Sequence, residues 1–172
     1  LQPVNTPSVS DPGEATRQFV AGLPEELAAA VRAAAVPHWF DAEILAAILD
    51  VPAERAQKLL TVLPLMPLVQ PWGEGQFALH ELARHALLAE LWAHWPAQYR
   101  AWSARAADYF AAQAAPANNL RLELANAPGG ASATHAAGSS FPSAAEPDPR
   151  LRIESIYHRL LADPEQGADE VW

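Results

Sequence analysis

The feature that most constrains this chain is a change of hydrophobic period between residues 41 and 92. Apolar residues first recur at helical spacing, then alternate as in strands around Gly73-Glu74-Gly75, then return to helical spacing. Asp41 is placed to cap a helix whose Ile44, Leu45, Ile48 and Leu49 form one apolar stripe. Asp50-Val51-Pro52 breaks it, and a second helix runs from Ala53 to about Leu63. Its Ala56, Leu59, Leu60 and Leu63 face inward, and Glu54, Arg55, Gln57 and Lys58 face outward. Two helices joined so tightly have helix-turn-helix spacing. Leu68-Val69-Gln70-Pro71-Trp72 and Gln76-Phe77-Ala78-Leu79-His80 then flank a hairpin loop with two glycines, Pro71 restricting the first strand to an edge.

A helix follows from Glu81 to about Trp92, with Leu82, Ala86, Leu87 and Leu91 inward. Another follows from about Pro96 to Ala112, through Tyr99, Trp102, Ala106, Tyr109 and Phe110. Upstream, Leu23-Pro24-Glu25-Glu26 is a helix start: proline suits the first turn, and two acids face the positive helix end. That helix stops at Pro37. Helix, helix-turn-helix, two-stranded wing and helix is the order of a winged-helix domain. The expected fold class is therefore mostly α: a winged helix-turn-helix, with a three-helix core, a two-stranded β-wing and additional C-terminal helices.

The chain of 172 residues is long enough for one core with appendages. Hydrophobic residues make up 51%, but 38 of them are alanine, so the core is modest and helical. Residues 1–22, rich in Pro, Ser, Thr and Gly, read as a linker that docks in part through Phe19 and Val20. The winged-helix domain with its following helices spans 23–113. Residues 114–149 read as a flexible Ala/Pro/Gly-rich linker, interrupted by Leu120-Arg121-Leu122-Glu123-Leu124. Residues 150–172 form a C-terminal amphipathic helical segment, with Leu151, Ile153, Ile156, Tyr157, Leu160 and Leu161 as its sticky face; Pro164 to Trp172 is expected to open a second short helix. The first residue is Leu1, no signal-peptide pattern follows it, and the uncharged run Leu59 to Gly73 is broken by Pro64, Pro67 and Pro71. The expectation is a soluble, cytoplasmic part of a longer chain, with no membrane contact.

Several chemistries are excluded by residue type and spacing. With no cysteine, thiolate catalysis and cysteine-based zinc sites are ruled out. His80 and His85 stand five apart, which turns them about 140° from each other on a helix, so the two-histidine zinc-protease face is not formed. The single lysine, Lys58, has no glycine loop around it to cradle a phosphate, and no Gly-x-Ser-x-Gly elbow occurs. The expectation is a non-catalytic chain with no metal and no cofactor of its own.

Phe77-Ala78-Leu79-His80-Glu81-Leu82 runs a wing strand into a helix at a histidine–acid pair. This resembles the winged-helix region of bacterial STAND-type signalling NTPases, the group containing the NB-ARC switch proteins, over about Leu23 to Gln113. There the junction carries a Met-His-Asp type motif, often Leu-His-Asp-Leu; Leu79-His80 matches and Glu81 replaces the usual aspartate. Arg152-Ile153-Glu154-Ser155-Ile156-Tyr157-His158-Arg159-Leu160-Leu161 is similar to the helical segment that follows in such proteins and leads into helical repeats. The resemblance implies an upstream nucleotide-binding domain and downstream repeats as partners, and ADP or ATP as the nucleotide of the parent protein. The family histidine bonds the β-phosphate of ADP and holds the resting state, so His80 is the implied nucleotide sensor. Arg84, one turn on, shares its face and reads either as a phosphate contact or as a solvated arginine. The expected function is regulatory coupling: relaying nucleotide state to the downstream repeats.

The alternatives are a DNA-binding module, in which Arg55 and Lys58 on the second helix of the pair contact DNA, and a plain protein-docking domain. Residues 24–113 carry six basic and ten acidic side chains, and the whole chain is at −9, which argues against nucleic acid as the default partner. Trp39, Trp92, Trp95 and Trp102 read as core or interdomain packing, and Trp72, beside the wing turn, as an exposed contact.

Overall fold

The computed structural model describes residues 11–114 and 148–164. Among them are seven α-helices and one antiparallel hairpin. They are α1 (Pro12–Ala21), α2 (Glu25–Ala34), α3 (Ala42–Leu49), α4 (Ala53–Val62), β1 (Val69–Gly73), β2 (Gln76–Leu79), α5 (Glu81–His94), α6 (Pro96–Ala114) and α7 (Pro149–Ala162). A single 3-10 turn, Leu63–Leu65, closes α4 where Pro64 removes a backbone donor.

Local chemistry sets most of the boundaries. The Asp41 carboxylate accepts the Ile44 amide at 2.9 Å and caps α3. Asp50 ends that helix in the left-handed region, φ 58 and ψ 53, which a short polar side chain tolerates. Gly75 takes φ +71 in the hairpin loop, a conformation that any Cβ would strain. The strands pair Val69 with Leu79, Gln70 with Ala78 and Pro71 with Phe77, with an irregularity between Pro71 and Gly73. A further bridge joins Phe40 to Phe77: the Phe40 amide donates to the Phe77 carbonyl at 2.7 Å, and the Phe77 amide returns to Phe40 at 2.9 Å. The extended chain before α3 is thereby fastened to the outer edge of β2.

The core lies among α2, α3, α5 and α6, where Val31, Val36, Phe40, Leu45, Ile48, Leu87 and Phe110 are fully buried. Each such side chain contributes about 1.5–3 kcal/mol by leaving water. The short stripe of α4 joins it through Ala56, Leu59 and, just beyond, Leu63, as the spacing predicts.

Three expectations are corrected. Residues 1–22 are not a linker throughout: Pro12–Ala21 is a helix, capped by Asp11 and packed against α5 through a face that buries Thr16 and Val20. Pro12 at its first turn and the Asp11 cap are the start signals, and Phe19 stays 37% exposed. Leu82 is 68% exposed, because α5 turns Ala83, Ala86, Leu87 and Leu91 inward instead. Of the tryptophans read as core or interdomain packing, Trp102 is packed in the core, while Trp92 and Trp95 lie outside it at 56% and 43% exposure. Finally, α7 buries Glu154, Ser155 and His158, and leaves Ile153 at 64% exposure and Leu160 at 37%. Most of 114–149 and all of 165–172 lie outside the described residues, as does Leu120–Leu124.

Candidate functional site

The strand-to-helix junction places His80 at the N-cap of α5. Its backbone amide donates to the Leu68 carbonyl at 2.9 Å, which anchors the position, while the side chain caps nothing and is exposed. Glu81 occupies the first turn, where its charge favours the helix dipole. An exposed imidazole on a firmly held backbone is free to meet a phosphate brought by another domain.

Arg84 does not join it. Its Nε donates to the Pro37 carbonyl at 3.3 Å and Nη2 to the Val36 carbonyl at 3.0 Å. The side chain is not simply solvated: the guanidinium ties α5 to two carbonyls just past the C-cap of α2. His80 and Arg84 are neighbours in sequence that serve different ends.

The outer face of the helix pair carries Arg55 and Lys58, both exposed on α4. Arg55 is turned toward α2, its Nε 2.6 Å from the Glu26 carboxylate. That bond and the charge of Glu26 raise the affinity of Arg55 for its proton. An open cleft of about 490 Å³ beside α4 is lined by Glu25 and Glu26 together with Arg55 and Leu59. The face is thus part acidic, with one of its cations engaged.

A cluster that the sequence reading did not single out sits between α6 and α7. Small residues on α6, Ser103, Ala106 and Ala107, let α7 approach closely enough for the Ser155 hydroxyl to donate to the Ala107 carbonyl at 3.2 Å. The Glu154 carboxylate, 6% exposed, is held from both sides. His38 Nδ1 lies 2.6 Å from one oxygen, and His158 Nε2 lies 3.2 Å from the other. The His158 ring is fully buried and stacked on Phe110, 5.8 Å between centroids and 9° between planes. Its Nδ1 has no hydrogen-bond partner among the described residues. Burial pushes the Glu154 carboxyl up, but the bonds and charges of His158 and His38 outweigh it and hold the group down at about 2. Burial pushes His158 down against the pull of Glu154, and the positive charges of His38 and Arg84 add to the downward push. The readable signal was a glutamate and a histidine four apart on α7; nothing local announced His38 as the third member.

Two further clefts flank these elements. One of about 720 Å³, between the α1–α2 turn and α6, is lined by Val20, Leu23, Arg32, Trp95, Trp102 and Arg105. In it Arg32 lies 4.9 Å over the Trp95 ring and pairs with Glu90 at 3.2 Å. The other, about 370 Å³, separates Trp39 and Trp72 from the first turn of α7. Trp72 is 55% exposed, as its place beside the hairpin loop suggests. Among the described residues no group of three or more His, Cys, Asp or Glu is arranged so that it could hold a metal ion, and no helix there is long and apolar enough to cross a membrane.

Comparison with known proteins brought no match: no family model, no curated protein and no solved structure resembles the chain significantly.

Proposed function

We propose that the chain is a winged-helix coupling module of a STAND-like NTPase, without catalysis of its own. The observation that carries this reading is the junction at His80: a hairpin strand runs into α5 and leaves an imidazole exposed on an anchored backbone. The Phe40–Phe77 bridge supports the winged-helix part, because it sets a third extended segment beside the hairpin, next to the helix pair. In this reading a nucleotide-binding domain, itself part of the parent protein, offers ADP to His80, and α7 leads toward helical repeats. The β-phosphate accepts a hydrogen bond from the His80 ring and favours the closed state; exchange of nucleotide removes it. Arg84 gives two of its five N–H donors to Val36 and Pro37, so its first part is to fasten α5 to the segment after α2. In the parent protein, His80→Ala is expected to accelerate ADP release, measured by displacement of a fluorescent ADP analogue. Release at the unaltered rate refutes the sensor.

DNA binding is the second reading, supported by exposed Lys58 on the outer face of α4. The engaged Arg55 and the acidic cleft beside it count against it, because duplex affinity rests on cationic contacts. A titration with mixed-sequence duplex DNA, followed by anisotropy through a salt series, separates the two. The coupling module gives no saturable binding at low salt; micromolar binding with a steep salt slope gives the chain to DNA.

A further inference from the structure

We propose that α7 is held to the body by an acid-released latch made of Glu154, His158 and His38. The latch is built from α6, α7 and the segment before α3, and is independent of any service to an NTPase.

The latch joins a helix to the rest through polar groups where apolar ones are the rule. One carboxylate, almost wholly buried on α7, accepts a bond from a ring on its own helix and from a ring on the α2–α3 connection. For both bonds to form, His158 must donate through Nε2, which leaves its Nδ1 as a bare, buried acceptor without a partner among the described residues. Protonation of that nitrogen creates a buried cation and an unsatisfied donor against the face of Phe110. The groups acting on the ring are Glu154 on its own helix, which favours its proton, and His38 from the α2–α3 connection and Arg84 from α5, which oppose it, while Tyr157 beside it on α7 makes an edge contact. Across the same pair of helices Arg159 of α7 reaches Asp108 of α6 at 3.3 Å, and Glu154 is shared by two histidines.

The undocked helix has no such constraint. Its histidine takes up a proton at the ordinary value of about 6.5, and its glutamate at about 4.5. His158 is depressed in the docked state, so docking is at full strength above about 6.5 and weakens as pH falls below it. Glu154 is also depressed when docked, so its contribution is complete above about 4.5 and fades below that. Opening is therefore accompanied by proton uptake at His158 as pH falls below about 6.5, which raises the opening constant by at most about 30-fold from pH 7.5 to pH 5. Below about 4.5 the glutamate adds to the uptake. Undocking uncovers the Ser103, Ala106, Ala107 and Phe110 face of α6.

Hydrogen exchange on the 172-residue chain, with rates corrected for intrinsic pH dependence, tests this between pH 7.5 and pH 5. The expected result is a progressive loss of protection confined to α7, at least severalfold and at most about 30-fold by pH 5, while α2 to α5 stay protected. His158→Gln keeps a donor toward Glu154 and cannot be protonated, so its α7 protection is expected to be flat over the same range. Unchanged α7 protection in the parent chain overturns the latch; so does simultaneous loss in all helices, or an undiminished slope in the glutamine variant. If that variant is already undocked at pH 7.5, the ring resonances of His158 in the parent chain decide. Protonation in step with α7 opening supports the latch, and protonation with α7 still protected overturns it.

Discussion

Replacing Arg84 by methionine keeps the aliphatic stem and removes the two donors that hold the Val36 and Pro37 carbonyls. Both of these residues are buried, so the carbonyls have little access to replacement water. A hydrogen bond to a charged donor is worth about 1.5–3 kcal/mol, and a stranded buried acceptor costs about 1–3 kcal/mol. The 3.0 Å bond to Val36 counts in full and the 3.3 Å bond to Pro37 in part, since Arg84 is only half-buried. The expected loss is about 2–4 kcal/mol, which at about 4 °C per kcal/mol lowers Tm by about 8–16 °C. Urea unfolding followed by circular dichroism checks it, with an unchanged slope and a lower midpoint. Arg100→Met is the control: that guanidinium is exposed and lies 5.8 Å over Trp92, and its removal costs at most about 1 kcal/mol. An Arg84→Met loss below about 0.5 kcal/mol refutes the structural role and returns the side chain to the surface.

Three other outcomes are expected. Phe40→Ala costs about 3–5 kcal/mol in urea unfolding, because it empties the middle of the core where the chain meets β2. Asp41→Ala, which deletes the α3 cap, lowers stability by about 1 kcal/mol, whereas Asp41→Asn retains most of it. Alkaline titration at 295 nm finds only part of the phenol signal near pH 10: burial pushes Tyr99 and Tyr109 up, and for Tyr109 the charges of Asp41 and Glu43 add to it. Their neutral forms are favoured by folding, so stability is complete below about pH 10 and falls as pH rises through the shifted values. Three phenols titrating together at the ordinary value would falsify that packing.

The sequence was most readable where one residue answers to its immediate neighbours. Asp41 as a cap, the Ile44-Leu45-Ile48 stripe, the break at Asp50-Val51-Pro52 and the turn at Gly75 are local bargains between side chain and backbone, and they are observed as spacing suggests. It failed where the partner is remote. Of the six apolar residues chosen on α7, Leu151 and Leu161 do pack against the core, but Ile153 and Leu160 lie open, because the helix meets a face of α6 lined by alanine and serine, which admits a carboxylate and an imidazole once they satisfy one another. Arg84 was misplaced for the same reason, its carbonyl partners lying far upstream on another element. The α1 helix was lost among prolines and serines because its start signal, Asp11-Pro12, lies next to a stretch with none.

His38, Trp39 and Phe40 are consecutive, yet each belongs to a different neighbour. Phe40 exchanges two backbone bonds with the hairpin, the Trp39 ring meets the edge of Phe110 on α6, and His38 reaches the carboxylate of α7. Between Phe77 and Glu154 there are therefore only a bridge, two stiff planar peptide units and one short side chain. Tension applied at the wing therefore has a short route to α7, carried by backbone bonds and one histidine–carboxylate contact rather than by side-chain packing alone.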